Sequence, residues 1–171
     1  STFFSKWDAS GQIPDRAVDN GSIGWLGSID NTEGGNTNRT NANIQVTTEA
    51  GKLGTWTNQV YWSNYAFSLF SNFTLYKDDP IHGDEIHQYE NRNMLGLNSS
   101  LKNDYRLFGR TLKTNVGAGY RGDFIDNIGL AHVEKREFLN DVKKGSIHEN
   151  NINGFADASL LISSRLTLNL G

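Results

Sequence analysis

The chain has 171 residues, 19 acidic against 16 basic, a formal net charge of −3 and no cysteine. There is no basic face for nucleic acid, and disulfides and thiolate metal sites are excluded. Mean hydropathy is −0.54, and no run of about eighteen apolar residues offers a membrane helix, which leaves open a barrel whose strands are only half apolar.

Two prolines, eighteen glycines and abundant Asn, Thr and Ser favour strands and turns over helices. Residues 1–7 read as no more than the end of a strand. Residues 8–38 carry turn chemistry without a sustained period: Ser10-Gly11, Ile13-Pro14, Asn20-Gly21, Gly34-Gly35. A stretch this long without structure is unusual inside a compact soluble domain and ordinary as an external barrel loop. Residues 39–50 alternate, with Thr40, Ala42, Ile44, Val46 and Thr48 opposite Arg39, Asn41, Asn43, Gln45 and Thr47. A short turn at 51–54 follows.

Residues 55–76 form the most apolar alternating stretch. Tyr65, Phe67, Leu69, Phe73 and Leu75 line one face, and Ala66, Ser68, Phe70, Asn72 and Thr74 the other. The run matches the ~9–11 residues a tilted strand needs to cross a hydrocarbon core. Tyr61 and Trp62 at one end and Tyr76 at the other stand where aromatic girdles lie. The expectation is a membrane-crossing strand with Tyr65, Phe67, Leu69, Phe73 and Leu75 facing lipid. The set expected to face the lumen is Arg39, Asn41, Asn43, Gln45, Asn64, Asn72, Lys113 and Asn115.

A charged connection over 77–91 leads to alternation at 93–101, a turn near Asn103-Asp104 and a strand over 111–123. Residues 124–150 read as another long connection, within which 130–144 has the pattern of a short amphipathic helix. Residues 151–162 and 166–170 alternate again around a turn at Ser163-Ser164. The reading gives about six strands in neighbouring hairpins, with long and short connections in strict alternation, as when tight turns lie on one side of a membrane and large loops on the other.

Chemistry-bearing motifs are few. Gly117-Ala-Gly119-Tyr-Arg-Gly122 fits GxGxxG, but the strand before it alternates and no helix follows directly, so strand glycines explain it better than a dinucleotide site. His82, Asp84, Glu85 and His87 cluster on one loop without a standard zinc spacing, leaving metal binding open. Residues 30–36 and 78–85 resemble calcium loops but lack the EF-hand spacing. No catalytic constellation stands out and no cofactor is expected. Trp7, Trp25, His82, Asp84 and His87 are the candidate ligand-binding residues, the tryptophans as aromatic anchors.

These residues carry a family resemblance. Residues 8–18 (DASGQIPDRAV), 27–30 (GSID) and 32–35 (TEGG) resemble an external loop of TonB-dependent outer-membrane receptors. So do 71–74 (SNFT), followed by 78–80 (DDP) and Gly83-Asp84, while 166–171 (LTLNLG) resembles a strand repeated late in that family's barrel. The resemblance covers essentially the whole chain as a middle portion of the barrel, with no plug domain and no TonB box. It implies an arc of a 22-stranded barrel in the outer membrane of a Gram-negative bacterium, enclosing a plug. The implied activity is active uptake of a scarce ligand, a siderophore, metal chelate or similar, driven by the TonB complex through parts absent here. The implied partners are outer-membrane lipid, the plug, the remaining strands and a small-molecule ligand, with no nucleic acid and no enzymatic role. Two other readings remain: a smaller passive porin-like barrel, and a soluble β-sandwich module for carbohydrate with Phe67, Leu69 and Phe73 buried between sheets.

Overall fold

The computed structural model describes Ser1–Gly171 and is all-β, with seven strands in one antiparallel sheet ordered β1-β2-β3-β4-β5-β6-β7. These are β1 (Thr2–Asp8), β2 (Gly34–Glu49), β3 (Thr55–Ser71), β4 (Ile86–Leu107), β5 (Arg110–Glu134), β6 (Glu137–Ser163) and β7 (Leu166–Leu170). A one-turn helix α1 (Asp15–Asp19) and a 3-10 turn at Gly51–Leu53 complete the regular structure. Thr2 pairs with Thr40 and Asp8 with Gly34 at one edge of the sheet. At the other edge, Ala158 pairs with Leu170, and a register shift separates Leu161 from Ser163.

The strands exceed soluble norms. β4, β5 and β6 run 22, 25 and 27 residues, against about 5–6 for a typical strand. The chain supplies no second sheet, so the interleaved core of a sandwich is absent. Only Ile125, Ala131 and Val133 are buried apolar residues.

The chain divides into two compact units. The first comprises Ser1–Thr40, Asn64–Asn93 and Phe124–His148. It holds the connections 9–33, 72–85 and 135–136, and all three buried apolar side chains. The second comprises Asn41–Ser63, Met94–Asp123 and Glu149–Gly171. Its connections, 50–54, 108–109 and 164–165, are all short, and it buries no apolar side chain.

Several expectations are corrected. The long connection expected over 124–150 is absent, and its helix with it: 130–144 belongs to β5 and β6, joined by Lys135 and Arg136. Both residues have positive φ, 51° and 70°, the pattern of a type I′ hairpin turn. The Asn103-Asp104 turn lies instead at Phe108-Gly109, again with positive φ at both positions. β3 ends at Ser71, so Phe73 and Leu75 belong to the following loop, where Phe73 is 62% exposed and Leu75 has φ 64°. Neither ring nor side chain faces lipid from a strand. Tyr76 is likewise a loop residue, and Tyr61 covers Gly96, where an added Cβ would lie 2.0 Å from its ring. The GxGxxG run lies within β5, with Gly117 under the Phe155 ring, and opens no helix for a phosphate.

The lumen and lipid sets also need re-sorting. In the first unit, a Cβ on Gly35 would meet both the Trp7 ring and Leu69, and Trp7 and Phe67 lie with ring centroids 6.4 Å apart. Odd positions of β2 and β3 therefore share one face there, which puts Arg39 beside Tyr65, Phe67 and Leu69 rather than opposite them. Asn64, at an even position, projects the other way and donates to Asn91 Oδ1 at 2.9 Å and Asn93 Oδ1 at 3.1 Å. The sequence shows both alternations, but only the register joins them.

Candidate functional site

In the first unit, the sequence runs 30–36 and 78–85, each turn-rich and acidic, converge on the β5–β6 turn. Glu85 is the most deeply buried charged residue, 2% exposed. Its Oε1 accepts from Thr32 Oγ1 at 2.9 Å and its Oε2 from the Arg136 backbone N–H at 3.1 Å. The Arg136 guanidinium donates to the carbonyls of Thr32 at 2.6 Å and Glu33 at 3.4 Å, and lies 5.1 Å from the Phe70 ring centroid. The Thr32 backbone N–H donates to Asp30 Oδ1 at 2.9 Å, and Asn72 Nδ2 donates to Asp30 Oδ2 at 2.8 Å. One arginine thus ties the 9–33 loop, the start of β4 and the turn into a single polar knot.

Its carboxylates titrate differently. Desolvation raises Asp30, but hydrogen bonds from Asn72 and Thr32, helped by the Arg136 charge, outweigh it and hold the group below the ordinary value. Glu33 is raised, chiefly by desolvation and further by Asp30 and Glu85, against a backbone hydrogen bond from Asn72. A cavity of about 290 Å³ adjoins the knot, lined by residues including Asp30, Asn72, His82 and Glu85.

Asp84 organises the 72–85 loop. Its carboxylate accepts the backbone N–H groups of Lys77 at 2.8 Å, Asp78 at 3.1 Å and Asp79 at 2.7 Å. Desolvation raises its pKa, but these bonds and one from Thr74 lower it to about 2. The residue predicted to bind ligand is therefore occupied as a loop clamp. His82 is engaged by Asp79, backbone to Oδ1 at 3.0 Å and ring to Oδ2 at 3.2 Å. His87 stacks on Phe70 at 4.2 Å, contacts Ser68 Oγ at 2.8 Å and neighbours Tyr89 at 5.0 Å. Burial depresses its pKa. The two histidines take separate partners, and no group of three His, Asp or Glu side chains is placed to hold a metal.

Of the tryptophans, Trp7 joins an aromatic row with Phe67 and Tyr65, the last pair stacked at 6.4 Å, while Trp25 is 80% exposed on its loop. Asn72 is a buried loop anchor just beyond β3 rather than a strand residue, and its Oδ1 has no hydrogen-bond partner. Sequence reasoning missed Arg136, Thr32 and the burial of Glu85. The one available signal was that two acidic turn-rich segments each lacked the spacing for a cation of their own.

The second unit separates its faces more cleanly. Ser63 Oγ donates to Asn41 Oδ1 at 2.7 Å, Thr47 and Thr57 hydroxyls lie 3.3 Å apart, and Asn98 Nδ2 donates to Gln59 Oε1 at 3.3 Å. Asn43 and Gln45 follow Asn41 by alternation. Asn115 Nδ2 donates to Asp157 Oδ2 at 3.0 Å, with Lys113 two residues before it on β5. On the opposite face, Trp56 Nε1 donates to Ser99 Oγ at 2.8 Å. Trp56 and Ser99 line a shallow trough of about 340 Å³ with Leu101, Val116 and Ala118. By alternation this face carries Ile44, Val46, Val60, Trp62, Leu95 and Leu97, all exposed. No family model, curated protein or solved structure matches the chain.

Proposed function

We propose that the chain is a wall segment of a TonB-dependent receptor barrel in the outer membrane of a Gram-negative bacterium. On this reading the second unit crosses the bilayer and the first carries ligand-recognition loops. The observation behind it is that the second unit buries no apolar side chain while one face displays Ile44, Val60, Trp62, Leu95, Leu97 and Val116. Burying such a side chain is worth roughly 1.5–3 kcal/mol, a driving force that an uncovered sheet in water forgoes. Hydrocarbon supplies that cover without a second protein layer, and backbone groups within the sheet satisfy one another. Trp56 and Tyr105 toward the short turns, and Trp62 and Tyr120 farther along the strands, bracket the apolar stripe as interfacial aromatics do. The polar face, with Asn41, Gln59, Lys113 and Asn115, then borders the lumen and its plug.

The uptake role follows from the receptor resemblance and from the disposition of the first unit. Its connections 9–33 and 72–85 are the long ones, and the Arg136–Glu85 knot holds them in fixed form. A preordered loop captures ligand at smaller entropic cost than a mobile one. The remaining strands, the plug and the energy-coupling partner belong to the assembled receptor.

The chain has no native cysteine, which makes site labelling direct. Single cysteines at Ile44, Val60 and Val116 are expected to react with a lipid-soluble maleimide and resist a water-soluble one in outer-membrane vesicles. Cysteines at Asn43, Gln59 and Asn115 are expected to do the reverse. Equal aqueous labelling of both sets removes the membrane assignment.

A further inference from the structure

We propose that the first unit contains a binding trough for a small, flat, amphipathic anion, formed by β3, β4, β5 and β6. A cavity of about 570 Å³ lies there, lined by residues including Phe67, Ile128, Leu130, Lys143 and Lys144. That size falls within the range of small-molecule sites, and an apolar surface with a few charged groups is their usual make-up. Phe67 is already one member of an aromatic row with Tyr65 and Trp7, so a planar ring laid on the trough extends an existing stack. Gly145, also in the lining, has no atom within 4 Å of where its Cβ would stand, which keeps that side open.

Charge decides the sign of the ligand. The one acidic lining residue, Glu90, is paired with Arg92 at 3.3 Å. Lys143 and Lys144 enter no ion pair; as successive residues of β6 they project from opposite faces of the sheet, so one uncompensated positive charge stands on the trough's face beside its apolar surface. A carboxylate or sulfonate on an aromatic body satisfies both features; a cation of the same shape meets repulsion, and a neutral one gains only the stacking. No local sequence signal marks this site, because 124–150 has the pattern of a connection with a short helix while the residues lie in β5 and β6.

The inference names the ligand class of the receptor reading and rests on that reading only for the ligand's biological use. The test is fluorescence titration of the full chain in detergent micelles with 2-naphthoate, its neutral analogue 2-naphthalenemethanol and its cationic analogue 2-naphthylmethylamine, protein-free micelles being subtracted. Saturable binding of 2-naphthoate is expected, with the cation weakest. Replacing both lysines (Lys143→Gln with Lys144→Gln) is expected to weaken 2-naphthoate about threefold, as one solvent-screened charge allows, and to leave the alcohol unchanged. Phe67→Ala is expected to weaken both ligands. No saturation, or an anion that binds no better than the alcohol, or a lysine pair whose loss changes nothing, overturns the proposal. Because the cysteine labelling measures lipid exposure independently, a failed trough with an intact labelling pattern leaves the membrane assignment standing.

Discussion

Lys135 and Arg136 meet opposite demands at one tight turn. Both occupy left-handed backbone conformations, at φ 51° and 70°, which cost a residue with a Cβ roughly 1–2 kcal/mol relative to the right-handed region. Arg136 recovers this through the Glu85 carboxylate, the Thr32 and Glu33 carbonyls and the Phe70 ring. Lys135 is exposed beside it and has no comparable set of bonds to offset its strain. Asn tolerates this conformation and is favoured at the first position of a type I′ turn, whereas a β-branched residue is not. Lys135→Asn is therefore expected to stabilise the β5–β6 hairpin by ~0.5 kcal/mol and Lys135→Val to destabilise it by at least ~1 kcal/mol. Slower and faster amide hydrogen exchange at Glu134 and Glu137 would report the two effects; a destabilising Asn shows that the turn is held by Lys135 itself. The same residues explain why this turn was illegible: Lys-Arg carries none of the Asn-Gly or Asp-Gly signal, and its partners lie about a hundred residues away at 32 and 33.

The 72–85 loop is the element with the sharpest pH signature. Asp84 gathers the backbone N–H groups of Lys77, Asp78 and Asp79, and its pKa falls from 3.8 to about 2. A group whose folded pKa lies below its unfolded value stabilises the folded form above the unfolded pKa and loses that contribution as pH falls through the folded one. The loop is therefore expected to hold its form at neutral pH and to loosen as pH drops from 3.8 toward about 2. Amide shifts of residues 77–79 would follow the transition, and Asp84→Asn should remove its pH dependence while weakening the loop at neutral pH. A transition that survives Asp84→Asn assigns it to another carboxylate, such as Asp79, whose pKa is also lowered. Composition marked this as a charged loop and singled out Asp84 as a ligand-binding candidate, whereas in the structure its carboxylate is taken up by the loop's own N–H groups. An acidic side chain that satisfies its own backbone and one that awaits a ligand have the same composition, and only the direction of the N–H groups separates them. Strands were more legible, because alternation at 39–50, 111–123 and 151–162 is local. Their true lengths were not, since β4, β5 and β6 continue through polar stretches held by pairing with neighbours rather than by apolar periodicity.

For the whole molecule, the question is which solvent meets each face. Alternation within a strand revealed that two faces exist, but not which residues of neighbouring strands share a face. Tyr65, Phe67 and Leu69 share their face with Trp7 and the 570 Å³ trough, while in the second unit the exposed apolar side chains of β3 are Trp56, Val60 and Trp62. A single charge placed on each side of β3 separates water from lipid. Val60 is 54% exposed and has no protein layer over it, and Gln59 points the other way, bonded to Asn98 at 3.3 Å. In water, neither Val60→Arg nor Gln59→Arg disturbs a packed core, and each changes stability by about 0.5 kcal/mol or less. In a bilayer, Val60→Arg sets a guanidinium in hydrocarbon at a cost of ~2–4 kcal/mol near the midplane, while Gln59→Arg faces an aqueous lumen and stays near neutral. Urea titrations of the chain folded into phospholipid vesicles, as wild type and as the two variants, would measure the difference. A large loss confined to Val60→Arg is the expected result. Equal, small effects would mean that water reaches both faces, and the transport reading would go with the membrane one.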